Sequence, residues 1–208
     1  MTARTSFIPL YSEIARESLE KLARIKAQIS ALENGISKTE KTDETLFPGL
    51  MSLENELGKT AFVIIIFSAI AIEAYIYDYA ARHLSDKFVQ EYIDKLDLIG
   101  KLIVVPRLIT GQELPRNKKW FGLAKAIVKT RNMIVHSKSS AISLATTDDA
   151  QHYLAKIKAT EEQILQSAKQ AVELLDLLVV ELSVIDPDEA LWLESYLVGK
   201  SQPNLEAK

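Results

Sequence analysis

The residues in this chain best suited to chemistry lie in one short string, Arg131-Asn132-Met133-Ile134-Val135-His136. Arginine stays charged and offers a planar fork matched to phosphate oxygens. Histidine, with an unperturbed pKa of about 6.5, can take or give a proton near neutral pH. On a helix Asn132 and His136 are four apart and share a face. Arg131 is turned about 100° from Asn132 and about 140° from His136, so Arg131 and His136 flank Asn132 rather than stack. Such a set suits attack of an RNA ribose 2′-hydroxyl on its own phosphate. Histidine would act as general base or acid, and arginine would hold the charge that develops on phosphorus. That chemistry needs no metal and no cofactor. The plainer alternative is a buried helix whose arginine and histidine meet internal carboxylates. Met133, Ile134 and Val135 cannot all face one way, so part of the string is expected at a second interface, and a dimer would supply one.

The surroundings of the string are cationic. The chain of 208 residues carries a net charge of −3, but Lys101 to Lys138 holds nine basic residues and one acid. That segment is +8, and the remaining 16 basic and 27 acidic residues make −11. A cationic segment in an anionic protein is the footprint of a local polyanion site. It is equally what a solvated helix face looks like. On the first view Lys101, Lys129 and Lys138 are the substrate-binding cations. The acidic remainder argues against a broad, non-specific grip on nucleic acid.

Other candidates are weaker. Glu73 sits in a very apolar stretch, where a carboxylate needs a partner unless it reaches solvent at a bundle edge. Arg131, His136 and Lys101 are the candidate partners, and Asp78 poses the same question less sharply. His83 and His152 are isolated and form no metal-ligand spacing with His136. Trp120 and Phe121 beside Lys118-Lys119 could stack on bases, but aromatics at helical spacing usually belong to a core. The chain has no cysteine, which removes disulfides and thiolate ligands and fits a reducing cytoplasm.

The elements that must position these groups read as helices. Hydrophobic content of 48% with 25% charge suits a globular chain with a sizeable core, and seven Gly and six Pro are too few for a turn-rich β fold. Ile14, Leu19, Leu22, Ile25, Ile29 and Leu32 give a helix over 11–33, stopped near Gly35. Residues 36–49, ending in Pro48-Gly49, read as a polar linker. A helix then runs from about 54 or 59 to 83, apolar nearly all round as a buried helix is. Its core, Ala61 to Ile72, spans about a dozen residues, short of the roughly 20 needed to cross a bilayer. Continuing it would place Glu73 and Asp78 in hydrocarbon, so a buried helix is expected, not a membrane span. Short helices follow over about 86–93 and 95–105, the latter ending before Pro106. Trp120 to His136 forms the helix of the string. Thr147, Asp148 and Asp149 open a long helix to about 183. Asp186-Pro187-Asp188-Glu189 starts a last one, with Asp as cap and Pro at the first position. The expected fold is an all-α, up-down helical bundle. Residues 1–49 form an N-terminal helix and linker, 50–199 the bundle, and 200–208 a loose tail.

The string RNMIVH, with its context, resembles the HEPN superfamily of all-α domains. That family's signature is Arg, four to six residues, then His, with a polar residue after the Arg. Arg131, Asn132 and His136 fit it. The order around it also resembles the family: an apolar helix carrying Glu73, a short helix with Lys101 followed by Pro and Gly, the motif, then a long helix, over about residues 59–183. The resemblance implies a bundle of HEPN type with extra N- and C-terminal helices. It implies a cytoplasmic, metal-independent endoribonuclease of toxin–antitoxin or defence systems, acting on RNA as a homodimer with a composite site and paired with an antitoxin protein. Arg131 and His136 would be catalytic, Asn132 supporting, Glu73 and Lys101 auxiliary. The alternative within the family is a non-catalytic module that binds RNA, a nucleotide or a partner protein.

Overall fold

The computed structural model describes residues 6–36, 46–136 and 147–197. Seven α-helices and one π-helical turn account for almost all of them, with no strand among the described residues. The molecule is an all-α bundle. We label the helices α1 (Ile8–Ile36), α2 (Leu46–Leu84), α3 (Asp86–Phe88), α4 (Leu98–Thr110), α5 (Lys119–Val135), α6 (Thr147–Ile185) and α7 (Pro187–Leu197).

The spine is α2, at 39 residues about 58 Å long. It is apolar nearly all round because α1, α4, α5 and α6 all pack on it. By length and composition it could cross a membrane, but 56% of its most apolar window is buried inside the protein. Ile64, Ile65, Ile72, Ile76 and Tyr79 are fully buried along it. The β-branched run at Val63–Ile66 stays helical, since tertiary burial outweighs a weak intrinsic preference.

Three boundaries differ from the sequence expectation, each for a local reason. First, α1 begins at Ile8 and passes through Gly35 to Ile36. Ile8 is 1% exposed, and its burial draws the first turn into the bundle, with Pro9 accommodated there because early helical N–H groups lack intrahelical partners anyway. Second, α2 starts at Leu46, so Pro48-Gly49 lies in its first turn and does not end a linker. The same missing-donor argument makes Pro48 harmless there. Third, α4 runs from Leu98 to Thr110 with Pro106 inside. An interior proline costs about 3 kcal/mol in an exposed helix. Here Leu102, Val105 and Pro106 are all buried, and each such apolar side chain returns about 1.5–3 kcal/mol. Gly111 ends α4 in the left-handed conformation, φ 77°, where a Cβ would be strained.

Between α2 and α4 the chain reverses. Ser85 caps α3, and residues 89–93 form a π-helical turn closed by Asp94 N–H to the Val89 carbonyl, 2.8 Å. Asp97 then caps α4 by accepting from Gly100 N–H, 2.6 Å. α5 runs antiparallel to α6, as the contact of Thr130 Oγ1 with Ser167 Oγ, 3.1 Å, and of Lys119 with Glu173 shows. Asp186 caps α7 as expected, accepting from Glu189 N–H at 3.1 Å. α7 folds back on α6 and reaches α1: Ser12 and Arg16 both donate to the Leu197 carbonyl.

Candidate functional site

The last turn of α5 carries the string. Ile134 turns inward onto the core, while Met133 and Val135 are exposed. This is the divided geometry expected of three consecutive apolar residues on one helix. His136 is the C-cap: its N–H bonds to the Asn132 carbonyl at 2.9 Å. Its side chain is exposed and has no hydrogen bond or ion pair among the described residues.

Arg131 behaves differently. One guanidinium nitrogen lies 3.7 Å from Glu73 Oε2 on α2, and another donates to Asn132 Oδ1 at 3.3 Å. Glu73 is shared, because Lys101 Nζ on α4 stands 3.4 Å from its Oε1. Lys101 also donates to Asp94 Oδ1 at 3.0 Å. Four elements therefore meet in one line of charge: Asp94 after the π turn, Lys101, Glu73 and Arg131. Both the arginine and the Glu73 carboxylate keep more than a third of their surface in solvent, so an anion can reach the guanidinium. Glu73 finds its partners in Arg131 and Lys101, and His136 is left facing out.

Lys101, expected among the substrate-binding cations, takes another position. Its side chain is 4% exposed, with two carboxylates on its ammonium. It fixes Glu73 from behind and offers no surface to a polyanion. A lone buried ammonium would be expensive, and the two carboxylates are what make its position tolerable. Lys129 is exposed on α5, and Lys138 lies outside the described residues. Much of the basic segment is neutralised by acids. Arg107 and Arg116 pair with Glu113, and Lys119 pairs with Glu173. Lys125 stands 4.4 Å from the Phe121 ring centre, a cation–π contact. Trp120 is fully buried, its indole N–H on the Pro115 carbonyl at 2.9 Å, so it is core and unavailable for stacking on bases.

A second polar cluster was not expected from sequence. At the far end of α2, Arg82 makes two bonds to Glu189 of α7, 2.7 and 2.5 Å, and one to Asp78, 2.9 Å. The Tyr75 hydroxyl donates to Glu189 at 3.1 Å and the Tyr79 hydroxyl to Asp186 at 2.6 Å. Burial, and then the Glu189 charge, pushes the Tyr75 hydroxyl well above its ordinary value. Burial and the Asp186 hydrogen bond do the same to Tyr79. Burial alone would lower the Arg82 value, but Glu189 and Asp78 more than offset it. By spacing alone Tyr75, Asp78, Tyr79 and Arg82 share one helical face. The partners of that face on α7 were not legible, because Glu189 reads in sequence only as a helix-start residue. This cluster ties α7 to α2. His83, 41% exposed, lies 3.8 Å from Glu189. Among the described residues no three His, Asp or Glu side chains are placed to hold a metal ion.

No family model matches the chain, and neither a curated protein nor a solved structure matches it.

Proposed function

We propose that the chain is a metal-independent endoribonuclease of HEPN type, acting as a homodimer. The observation that carries the proposal is the C-terminal end of α5, where an anion-accessible Arg131 and an exposed His136 lie five residues apart on a helix fixed by Glu73 and Lys101. His136 of one protomer takes the proton of a ribose 2′-hydroxyl. The 2′-oxygen attacks the adjacent phosphorus, and Arg131 stabilises the extra negative charge on the equatorial oxygens. The P–O5′ bond breaks, and the leaving 5′-oxygen receives a proton from the imidazolium supplied by the second protomer. The products are a 2′,3′-cyclic phosphate and a 5′-hydroxyl. Asn132 bonds the guanidinium and helps to aim it. Such an enzyme fits a toxin–antitoxin or defence role with an antitoxin protein as partner.

The test is cleavage of end-labelled RNA in excess EDTA. Arg131→Ala and His136→Ala should each lower the rate by about 10²-fold or more while leaving the circular dichroism spectrum unchanged. Cleavage that persists in both variants would sink the proposal. One observation favours a second reading: the internal pairing of Arg107, Arg116 and Lys119 shrinks the cationic surface. On that reading the chain is a non-catalytic module binding RNA, a nucleotide or a partner protein, and the same assay shows binding without products.

A further inference from the structure

Residues 149–163 of α6 lie largely open to solvent. Thr130 of α5 contacts Ser167 of α6, and α5 ends at Val135, so α6 residues before about 161 have no α5 beside them. Almost every described residue from 149 to 163 is exposed or half-exposed, Leu154 at 64%. On the side facing α2 a cleft of about 640 Å³ opens between α6 and the α1–α2 hairpin. Met51, Phe62 and Leu165 line it, with Lys158 and Glu161 at its α6 edge. Ile157 is exposed on the same helix. Apolar walls left open on both sides of a cleft mark a place for another helix.

Leu154, Lys158, Glu161 and Leu165 follow a four-three-four spacing, which sets them on one stripe of the helix. The order along the stripe is apolar, positive, negative, apolar. That order is its own complement when the helix meets a copy of itself running the opposite way. With a two-fold axis crossing between residues 159 and 160, Leu154 lies opposite the partner's Leu165, and Lys158 lies opposite the partner's Glu161. Lys158 and Glu161 have no ion-pair partner among the described residues, so their charges are available for this pairing.

We infer that the stripe Leu154–Lys158–Glu161–Leu165 of α6, exposed except at the half-buried Leu165, is the seam of an antiparallel, two-fold dimer of this chain. In such a dimer the partner's α6 enters the cleft beside Phe62 and Met51. The position of the axis also bears on the motif. His136, six residues beyond Thr130, is level with α6 residue 161, about 2 Å along the helix from the axis. The two copies of His136 therefore sit at nearly the same height on the paired helices. The link to RNA rests on the function proposed above, whereas the seam stands on the stripe alone.

Sedimentation velocity on the full chain, without RNA, reads the dimer directly. The wild type should dimerise. Lys158→Glu and Glu161→Lys should each raise the dimer dissociation constant about tenfold or more, two attractive pairs becoming two repulsive ones. The double variant Lys158→Glu/Glu161→Lys should dimerise like wild type, since its pairs return with signs exchanged. Leu154→Glu should give monomer. The three substituted sites all lie on the α6 stripe, and a retained helical spectrum shows that each variant still folds. A monomeric wild type, single variants that dimerise unchanged, or a double variant that fails to recover would each overturn the seam. A monomeric wild type counts against both the seam and the dimeric nuclease, whereas single variants that dimerise unchanged overturn the seam alone, and absent RNA cleavage with an intact charge-swap result overturns the nuclease alone.

Discussion

Arg82→Met should destabilise this protein more than Glu189→Leu does, although both remove the same ion pair. The reason is what each change leaves behind. Glu189 keeps only 4% of its side chain exposed, against 28% for Arg82. Without Arg82, the Glu189 carboxylate stays buried with one Tyr75 hydroxyl and a distant, exposed His83. Removing one partner of a buried pair costs about 3–5 kcal/mol, largely as the penalty on the charge left unpaired. Without Glu189, Arg82 retains Asp78 at 2.9 Å and access to water, and the main loss is the Tyr75 hydroxyl's acceptor, about 1–3 kcal/mol. The double variant Arg82→Met/Glu189→Leu should recover part of the Arg82→Met loss, because no buried charge remains. Urea unfolding followed at 222 nm measures all three. For a chain of this size each kcal/mol shifts the melting point by roughly 2–4 °C, so Arg82→Met should melt lowest by a clear margin. Equal losses in the two single variants, or a double variant as unstable as their sum, would refute the reasoning.

Two further outcomes follow from the same physics. Lys101→Met should cost less than about 1 kcal/mol in urea unfolding, because Glu73 and Asp94 are both more than a third exposed and hydrate once released. A larger loss would show that the buried ammonium stabilises the fold directly. Stability should also fall as pH rises past 10.0, the ordinary tyrosine value. Tyr75 and Tyr79 hold their protons more tightly in the folded chain, so the unfolded state binds fewer protons there and alkali favours it. The double variant Tyr75→Phe/Tyr79→Phe should flatten that alkaline decline in thermal melts.

The candidate site was partly legible in sequence. Arg131, Asn132 and His136 were found by residue type and spacing, and Glu73 was noticed because a carboxylate in an apolar helix needs a partner. The structure brings Glu73 to Arg131 and Lys101. It also adds Asp94, which no spacing rule picks out, because its partner Lys101 lies across a reversal shaped by a π-helical turn.

By itself the sequence determined that the fold is an all-α bundle. Periodic apolar residues, few glycines and the Asp186-Pro187 start each act locally, so they can be read one segment at a time. Local rules failed at Pro48 and Pro106, where helix breakers sit inside helices because a first-turn position or burial outweighs their preference. Which charges neutralise one another was decided only by tertiary packing. Lys101 became a buried tether, Glu189 an anchor for Arg82, and the Lys158–Glu161 stripe was left uncovered. Those outcomes depend on which helices lie side by side, and such neighbours are far apart along the chain.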